Sequence, residues 1–409
     1  MQQQREKIFF DPTTDRSMPA LPSAPTDEQI TMLLSNNNAR CPLTEIIVSD
    51  ANEGNMRTLR RFAHTALSRV NRSCRGCNFG IYAGAGQGKT YIVKQWAKTI
   101  GIPFILVQSA SLTDTWSLFE IIRMEISKHI FSGDSLYTPA DTKFPKVVEW
   151  KNGTCDYRVP PCIVFFDEAH LIPKKMMEGG LLNGMEADDG IMAMRPAAKA
   201  DVVYANMRQV CWVAATTERG RLFDAFEMRL SSAIEWQTAT IDEIAHIVKV
   251  RIDAEVRNKE LPFGMPPEIC QLVAKYRRVP RMAIAFAKQV IQQKKMMSSD
   301  TWEEAVAQVA RDNDIDEDGF SHKQINILTA LGQRPIALNG LSGVAKCRLE
   351  QVERYELPLL MSYDNGGPFM SPVGGKGMAI TEAGIEFLDR RGIENRGSKV
   401  TVEYFESRR

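Results

Sequence analysis

The stretch FGIYAGAGQGKT, Phe79 to Thr90, decides the reading of this chain, and PCIVFFDEAH, Pro161 to His170, completes it. The first is an apolar strand running into a glycine-rich loop and then a helix; the second is an apolar strand ending in paired acids. Gly84, Gly86 and Gly88, with Ala85 and Gln87 between them, let the loop backbone curl around an anion and point its N–H groups at it. Lys89 then reaches the outer phosphates, the Thr90 hydroxyl holds Mg²⁺, and Asp167 supports the same ion from its own strand. Glu168, the next acid along, polarises the attacking water. Ala83 stands where the phosphate-loop motif has its first glycine, a substitution many such loops accept. The pair of motifs predicts a nucleoside triphosphatase that uses ATP and Mg²⁺.

Composition narrows the setting. The chain has 409 residues with 44% hydrophobic side chains, enough to bury the cores of two or three domains. No apolar run approaches the roughly 20 residues a membrane span needs, and MQQQREKIFF lacks a signal-peptide core, so a soluble, cytoplasmic protein with no membrane partner is expected. Net charge is +1, which excludes a global polycation; any nucleic-acid surface must be local. The eight cysteines fit reduced core thiols. Cys74 and Cys77 have metal-ligand spacing, but no second pair stands at a zinc-ribbon distance, and an ordinary loop is expected there.

Strands at Phe79 to Ala83, Pro103 to Gln108, Cys162 to Phe166 and Cys211 to Thr216 alternate with helices at Thr90 to Ile100 and Trp116 to Phe131, which predicts a covered, mostly parallel sheet. After Thr217 the pattern becomes helical: Asp242 to Val256, Pro267 to Lys275, Pro280 to Lys294 and Ser299 to Arg311. The acidic run from Asp312 to Asp318 lacks the ligand positions of a calcium loop and reads as a solvated linker. Three more helices, Lys323 to Leu331, Leu338 to Val344 and Arg348 to Met361, precede a hairpin around Gly374, Gly375 and Gly377, which together predict a winged helix. The expected organisation is α/β with a P-loop parallel-sheet domain over residues 40–236, a helical lid over 237–314 and a winged helix over 315–390. An irregular arm over 1–39, carrying one short helix near Asp27 to Leu34, and a charged tail over 391–409 flank them.

The order of these parts resembles the AAA+ superfamily and, within it, the RuvB family of Holliday-junction branch-migration motors. The resemblance covers residues from about 40 to 390. RCPLTEII, Arg40 to Ile47, is similar to the segment that encloses adenine, which implies that Ile46 and Ile47, with Tyr91 after the loop, contact the base. VAATTERGRLF, Val213 to Phe223, resembles the sensor 1 strand and puts Thr217 in the sensor role. AFEMRL, Ala225 to Leu230, stands where the family carries its trans-acting arginine finger, so Arg229 is the match, and RRVPRMAIAFAKQV, Arg277 to Val290, resembles the sensor 2 helix with Arg281 meeting the γ-phosphate. The resemblance implies catalytic roles for Lys89, Asp167, Glu168, Thr217, Arg229 and Arg281. It also implies a hexameric ring or filament, duplex or junction DNA as partner, and Lys376 of the wing on the DNA backbone.

The departures are an insertion over 132–158, Glu227 where a further arginine is usual, and a divergent hairpin, Met185 to Arg208, where the family docks its RuvA partner. They fit a divergent relative of the kind phage or mobile elements carry, and leave a RuvA-like or other recombination or replication protein as an open partner. Three functions follow: an ATP-driven DNA motor, an ATP-gated DNA-binding switch or loader, and a protein remodeller whose winged helix docks protein.

Overall fold

The computed structural model describes residues 26–34, 41–69, 74–131, 146–150, 153–196, 201–297, 301–316, 318–361, 368–373 and 377–395. Lys376, Gly374 and Gly375, the rest of the N-terminal arm, residues 132–145 of the insertion and 396–409 of the tail lie outside them. By its contacts the chain divides into two units, one holding residues 88–237 and the chain before 84, the other holding 84–87 and 238–409.

The first unit begins with α1 (Asp27–Leu33), closed by a reciprocal Thr26–Gln29 capping box, and α2 (Glu53–Leu67). Then come β1 (Phe79–Tyr82), α3 (Lys89–Ile100), β2 (Phe104–Gln108), α4 (Thr115–Phe131), β3 (Lys146–Trp150), β4 (Gly153–Arg158) and β5 (Cys162–Asp167). Short helices α5 (Lys174–Met176) and α6 (Leu182–Gly184) flank a π turn over Met177–Leu181, and β6 (Ile191–Met194), β7 (Val203–Asn206), β8 (Val210–Thr216), α7 (Asp224–Glu227) and β9 (Ser232–Glu235) complete it. The central sheet is parallel throughout in the order β2-β5-β8-β1-β9, with Gln108 beside Asp167 and Tyr82 beside Thr216.

Alternation along β5 and β8 fills both faces of that sheet. Val164, Phe166, Trp212 and Ala214 enter one core with α4, and Ile163, Phe165, Cys211 and Val213 enter the other with α2 and α3. Phe166 stacks on Trp212 with centroids 5.8 Å apart, and the buried Trp96 of α3 donates its indole N–H to the Leu59 carbonyl at 3.0 Å. Burial of this kind is worth roughly 25 cal/mol per Å² of apolar surface, which is what makes the sheet a rigid base for its carboxyl ends.

Two strands were not expected in the insertion. β3 and β4 pair antiparallel, and β4 runs parallel to β7, so the insertion extends the β6–β7 hairpin into a second sheet of order β3-β4-β7-β6. The join rests on only two facing pairs, Tyr157 with Ala205 and Arg158 with Asn206, from distant parts of the chain. β9 was also unforeseen, because SAIE is too short and too exposed to read as a strand alone.

The second unit contains α8 (Ile241–Arg257), α9 (Pro267–Tyr276), α10 (Pro280–Met296) and α11 (Trp302–Asp312), packed around Val248, Ile252, Val273, Phe286, Val290 and Val306. Thr240 with Glu243 and Thr301 with Glu304 form capping boxes that fix where α8 and α11 start. Next come α12 (His322–Gln333), α13 (Leu338–Ala345), α14 (Leu349–Gln351), a π turn over Val352–Glu356, α15 (Leu357–Leu360), the hairpin β10 (Met370–Val373) and β11 (Gly377–Ile380), and α16 (Glu382–Arg390). Their own core gathers Phe320, Leu328, Leu331, Val352, Phe369 and Phe387.

The single helix expected from Arg348 to Met361 is interrupted by its π turn, because Pro358 has no N–H to give the carbonyl four residues back. The acidic run is also more than a solvated linker. Asp316 accepts the Phe320 N–H at 2.8 Å, and the Arg391 guanidinium pairs with Asp316 at 2.6 Å and with Asp318 while lying on the Phe387 ring. Arg391, expected to open the tail, is therefore anchored. Among the described residues no helix is long and apolar enough to cross a membrane.

Candidate active site

The phosphate loop sits between β1 and α3, and its conformation explains its glycines. Gly86 (φ 78°) and Gly88 (φ 88°) occupy the left-handed region, where a side chain is disfavoured. Gly88 is also the residue before the first turn of α3. That turn has no capping side chain and no acid, and a helix N-terminus of this kind favours an anion. Lys89 is buried, and its ammonium donates to the Ala83 carbonyl at 2.9 Å, folded back along the loop's own backbone. Thr90 follows at the helix start. The donors fit MgATP: loop amides and a lysine for phosphate oxygens, and a hydroxyl with the carboxylate ending β5 for a hard divalent cation.

Asp167 ends β5, and Glu168 follows in a left-handed conformation (φ 50°, ψ 56°) that non-glycine residues rarely adopt. Strain of this kind persists only where neighbours impose it. The neighbours are visible. Glu168 Oε2 accepts the Thr217 N–H at 3.4 Å and the Thr217 hydroxyl at 3.3 Å, so the residue that follows β8 meets the acid that follows β5. The structure thus brings Glu168 and Thr217 together.

The other predicted residues occupy distinct surroundings. Ile46 is buried and Ile47 half-buried beside the turn Pro42–Glu45, which is tied to α3 by a 2.6 Å hydrogen bond from Gln95 to Glu45; Tyr91 is 42% exposed. Arg229 lies just past α7 and is held on its own chain: Nε donates to the Leu182 carbonyl at 2.9 Å, Nη1 to that of Ala225 at 2.8 Å, and Nη2 pairs with Glu186 at 2.7 Å. Glu227, the departure from the family pattern, binds Arg219 at 2.7 Å. Arg219 also pairs with Glu235 and stacks over Tyr82 at 4.8 Å. Arg281 lies in the first turn of α10 in the second unit, where its N–H donates to the Gly86 carbonyl at 3.4 Å.

Sequence reasoning assigned nothing to His170, Thr216, Glu218 or Glu186. The only signal was the histidine that closes DEAH.

Residues 80–238 match the family model for ATPases associated with various cellular activities. They form an AAA ATPase domain. The chain is accordingly an ATP hydrolase, with this domain carrying the phosphate loop and the β5 acids. No curated protein matches the chain by sequence. Among solved structures, the Thermotoga maritima RuvB Holliday junction branch migration motor is similar with a TM-score of 0.56 at 17% identity, over 83% of this chain and 95% of that one. Two point mutants of the Thermotoga protein align at TM-scores of 0.60 and 0.59, with 17% and 18% identity, over 85% and 86% of this chain and 97% of theirs. The likeness extends beyond the AAA domain and shows a RuvB-like fold with a helical C-terminal region.

Proposed function

We propose that this chain is an ATP-driven DNA motor that assembles into a hexameric ring or a filament and moves duplex or junction DNA. The observation that supports it best is the reach of the fold likeness, 83% and 85% of the chain in two alignments, beside an AAA ATPase domain match over residues 80–238. A RuvB-like relative supplies the analogy for DNA; the chemistry comes from this chain's own residues.

In this reading Lys89 and the loop amides bind the β- and γ-phosphates, while Thr90 and Asp167 hold Mg²⁺, which when bound neutralises charge on the phosphate oxygens. Glu168, oriented by Thr217, accepts the proton of the attacking water. Arg281 contacts the γ-phosphate of its own subunit and Arg229 that of a neighbour. The helices α12 to α16 with the β10–β11 hairpin form a winged helix, and Lys376, which lies between the two strands in sequence, contacts the DNA backbone. The exposed Glu350 and Glu353 leave the helix before the wing poorly suited to phosphates, and Glu356 is occupied by the Ser321 hydroxyl at 3.1 Å, so binding reads backbone rather than base.

The hold on Arg229 by Glu186 favours a second reading, an ATP-gated switch or loader whose assembly governs hydrolysis. Displacement of a third strand from duplex DNA, and branch migration of a synthetic four-way junction, with excess ATP separate the two. A motor does both. DNA binding and ATP turnover without displacement would instead establish the switch.

A further inference from the structure

We infer that His170 is a positioning residue of the hydrolytic site, orienting the Glu168 carboxylate and joining it to the Glu218–Arg221 pair at the surface. The inference rests on Glu168 preparing the attacking water. His170 stands two residues beyond Glu168, in the one-turn helix Ala169–Leu171, and its side chain is 1% exposed. Nδ1 lies 2.7 Å from the Thr216 hydroxyl and 3.5 Å from Glu168 Oε2, and on the other side of the ring Nε2 lies 3.4 Å from Glu218 Oε1. Thr216 is fully buried, and its hydroxyl also accepts the Glu218 N–H at 2.9 Å. Glu218 in turn pairs with the exposed Arg221 at 2.8 Å.

A water-polarising carboxylate works only in one orientation, and what holds Glu168 is thin. Thr217 supplies two donors, but at 3.3 and 3.4 Å both are long. The imidazole faces the same carboxylate oxygen, with Nδ1 3.5 Å away. Each ring nitrogen faces one acid: an N–H on Nδ1 points to Thr216 and Glu168, and one on Nε2 points to Glu218. When Nε2–H serves Glu218, Nδ1 accepts from Thr216 and Glu168 keeps Thr217 alone. When the proton is on Nδ1 the ring donates to the Thr216 hydroxyl at 2.7 Å and turns a positive N–H edge toward Glu168 Oε2 at 3.5 Å. A change in what Glu218 contacts, for example a shift of Arg221, therefore changes the support of an acid that Glu218 does not touch. A histidine serving only to tie the β5 turn to β8 would affect folding and leave the turnover of folded protein alone.

The test uses the full chain, comparing His170→Ala, His170→Asn, His170→Gln, Glu218→Gln and Glu168→Gln in steady-state ATP turnover, affinity for a fluorescent ATP analogue, and thermal unfolding. In His170→Ala we expect kcat to fall about 10- to 100-fold, the scale of a mispositioned reacting group, with analogue affinity unchanged. The amides of His170→Asn or His170→Gln restore part of kcat. Glu218→Gln lowers kcat in the same sense, and adding it to His170→Ala costs nothing more. Wild-type kcat in a folded His170 variant, or equal losses in kcat and affinity, would overturn the inference. Should His170→Ala not fold, the two amide variants decide. Turnover by Glu168→Gln overturns the reading of Glu168 and this inference with it; a dead Glu168→Gln beside a fully active, folded His170→Gln overturns the inference alone.

Discussion

Arg229→Ala separates a catalytic arginine from a structural one, because the structure bounds what the structural role can cost. The guanidinium makes two hydrogen bonds to carbonyls, of Leu182 and Ala225, and one ion pair with Glu186. Its side chain is 26% exposed and that of Glu186 is 50% exposed, so the pair itself contributes at most about 1 kcal/mol. The two carbonyls lose charged donors but gain access to water, which brings the total to about 1–3 kcal/mol. A domain of ordinary stability, about 5–15 kcal/mol, stays folded after that loss. Instability therefore removes only a small part of the activity. A finger acting on a neighbour's γ-phosphate is worth about 10³ to 10⁵ in rate. The two roles differ by three orders of magnitude. Steady-state ATP turnover beside a thermal melt reads both, and mixing gives the direction: in a random equal mixture with Lys89→Ala, about a quarter of interfaces pair an intact pocket with an intact finger. Recovery toward a quarter of wild-type turnover is expected. Turnover of Arg229→Ala within about tenfold of wild type, or mixtures as inactive as their components once mixed assemblies are shown, would refute the trans role.

Three further outcomes are expected. Glu186→Gln weakens a partly exposed pair and should raise turnover by no more than about fivefold, as 1 kcal/mol allows; a fall in turnover measured on assembled protein would count against the hold on Arg229. Burial, reinforced by Glu227, pushes the Tyr82 phenol up from 10.0 to about 12, so the unfolded chain loses this proton first and stability declines between about pH 10 and pH 12. Tyr82→Phe should flatten that part of the decline in a pH series of melts, and an unchanged slope would contradict the assignment. Removing residues 320–409 should weaken duplex binding with a shallower salt dependence while leaving the ATPase domain folded, and Lys376→Glu should weaken it equally on unrelated sequences; full-strength binding by the truncated chain across a salt titration would assign this C-terminal region another partner.

What the sequence showed and what it hid divide by range. The phosphate loop, the β5 acids and the core strands announce themselves through glycine spacing and through apolar runs such as Ile163 to Phe166, all local signals. The helices from Asp242 to Arg311 were equally plain, because amphipathic spacing is local as well. Hidden were features whose cause lies elsewhere in the chain. β4 is a strand because β7 lies beside it, β9 because β1 does, and the acidic run is ordered because Arg391, far along the chain, reaches Asp316. The same holds in the site. DEAH could be read as two acids and a histidine, but Thr216 and Glu218 gave no sign that they meet that ring, since the contact spans two parallel strands. Arg229 could be picked out, while its hold by Glu186 could not.

The central claim is that ATP is bound through Lys89 and hydrolysed through Glu168, and nucleotide binding measured beside turnover in their two variants tests it most directly. Lys89→Ala should lose affinity for MgATP. Glu168→Gln should bind MgATP as wild type does, hydrolyse it at a rate lower by two orders of magnitude or more, about the share a general base supplies, and accumulate assembled complexes. Near-normal turnover by Glu168→Gln, or undiminished MgATP affinity in Lys89→Ala, would contradict the account.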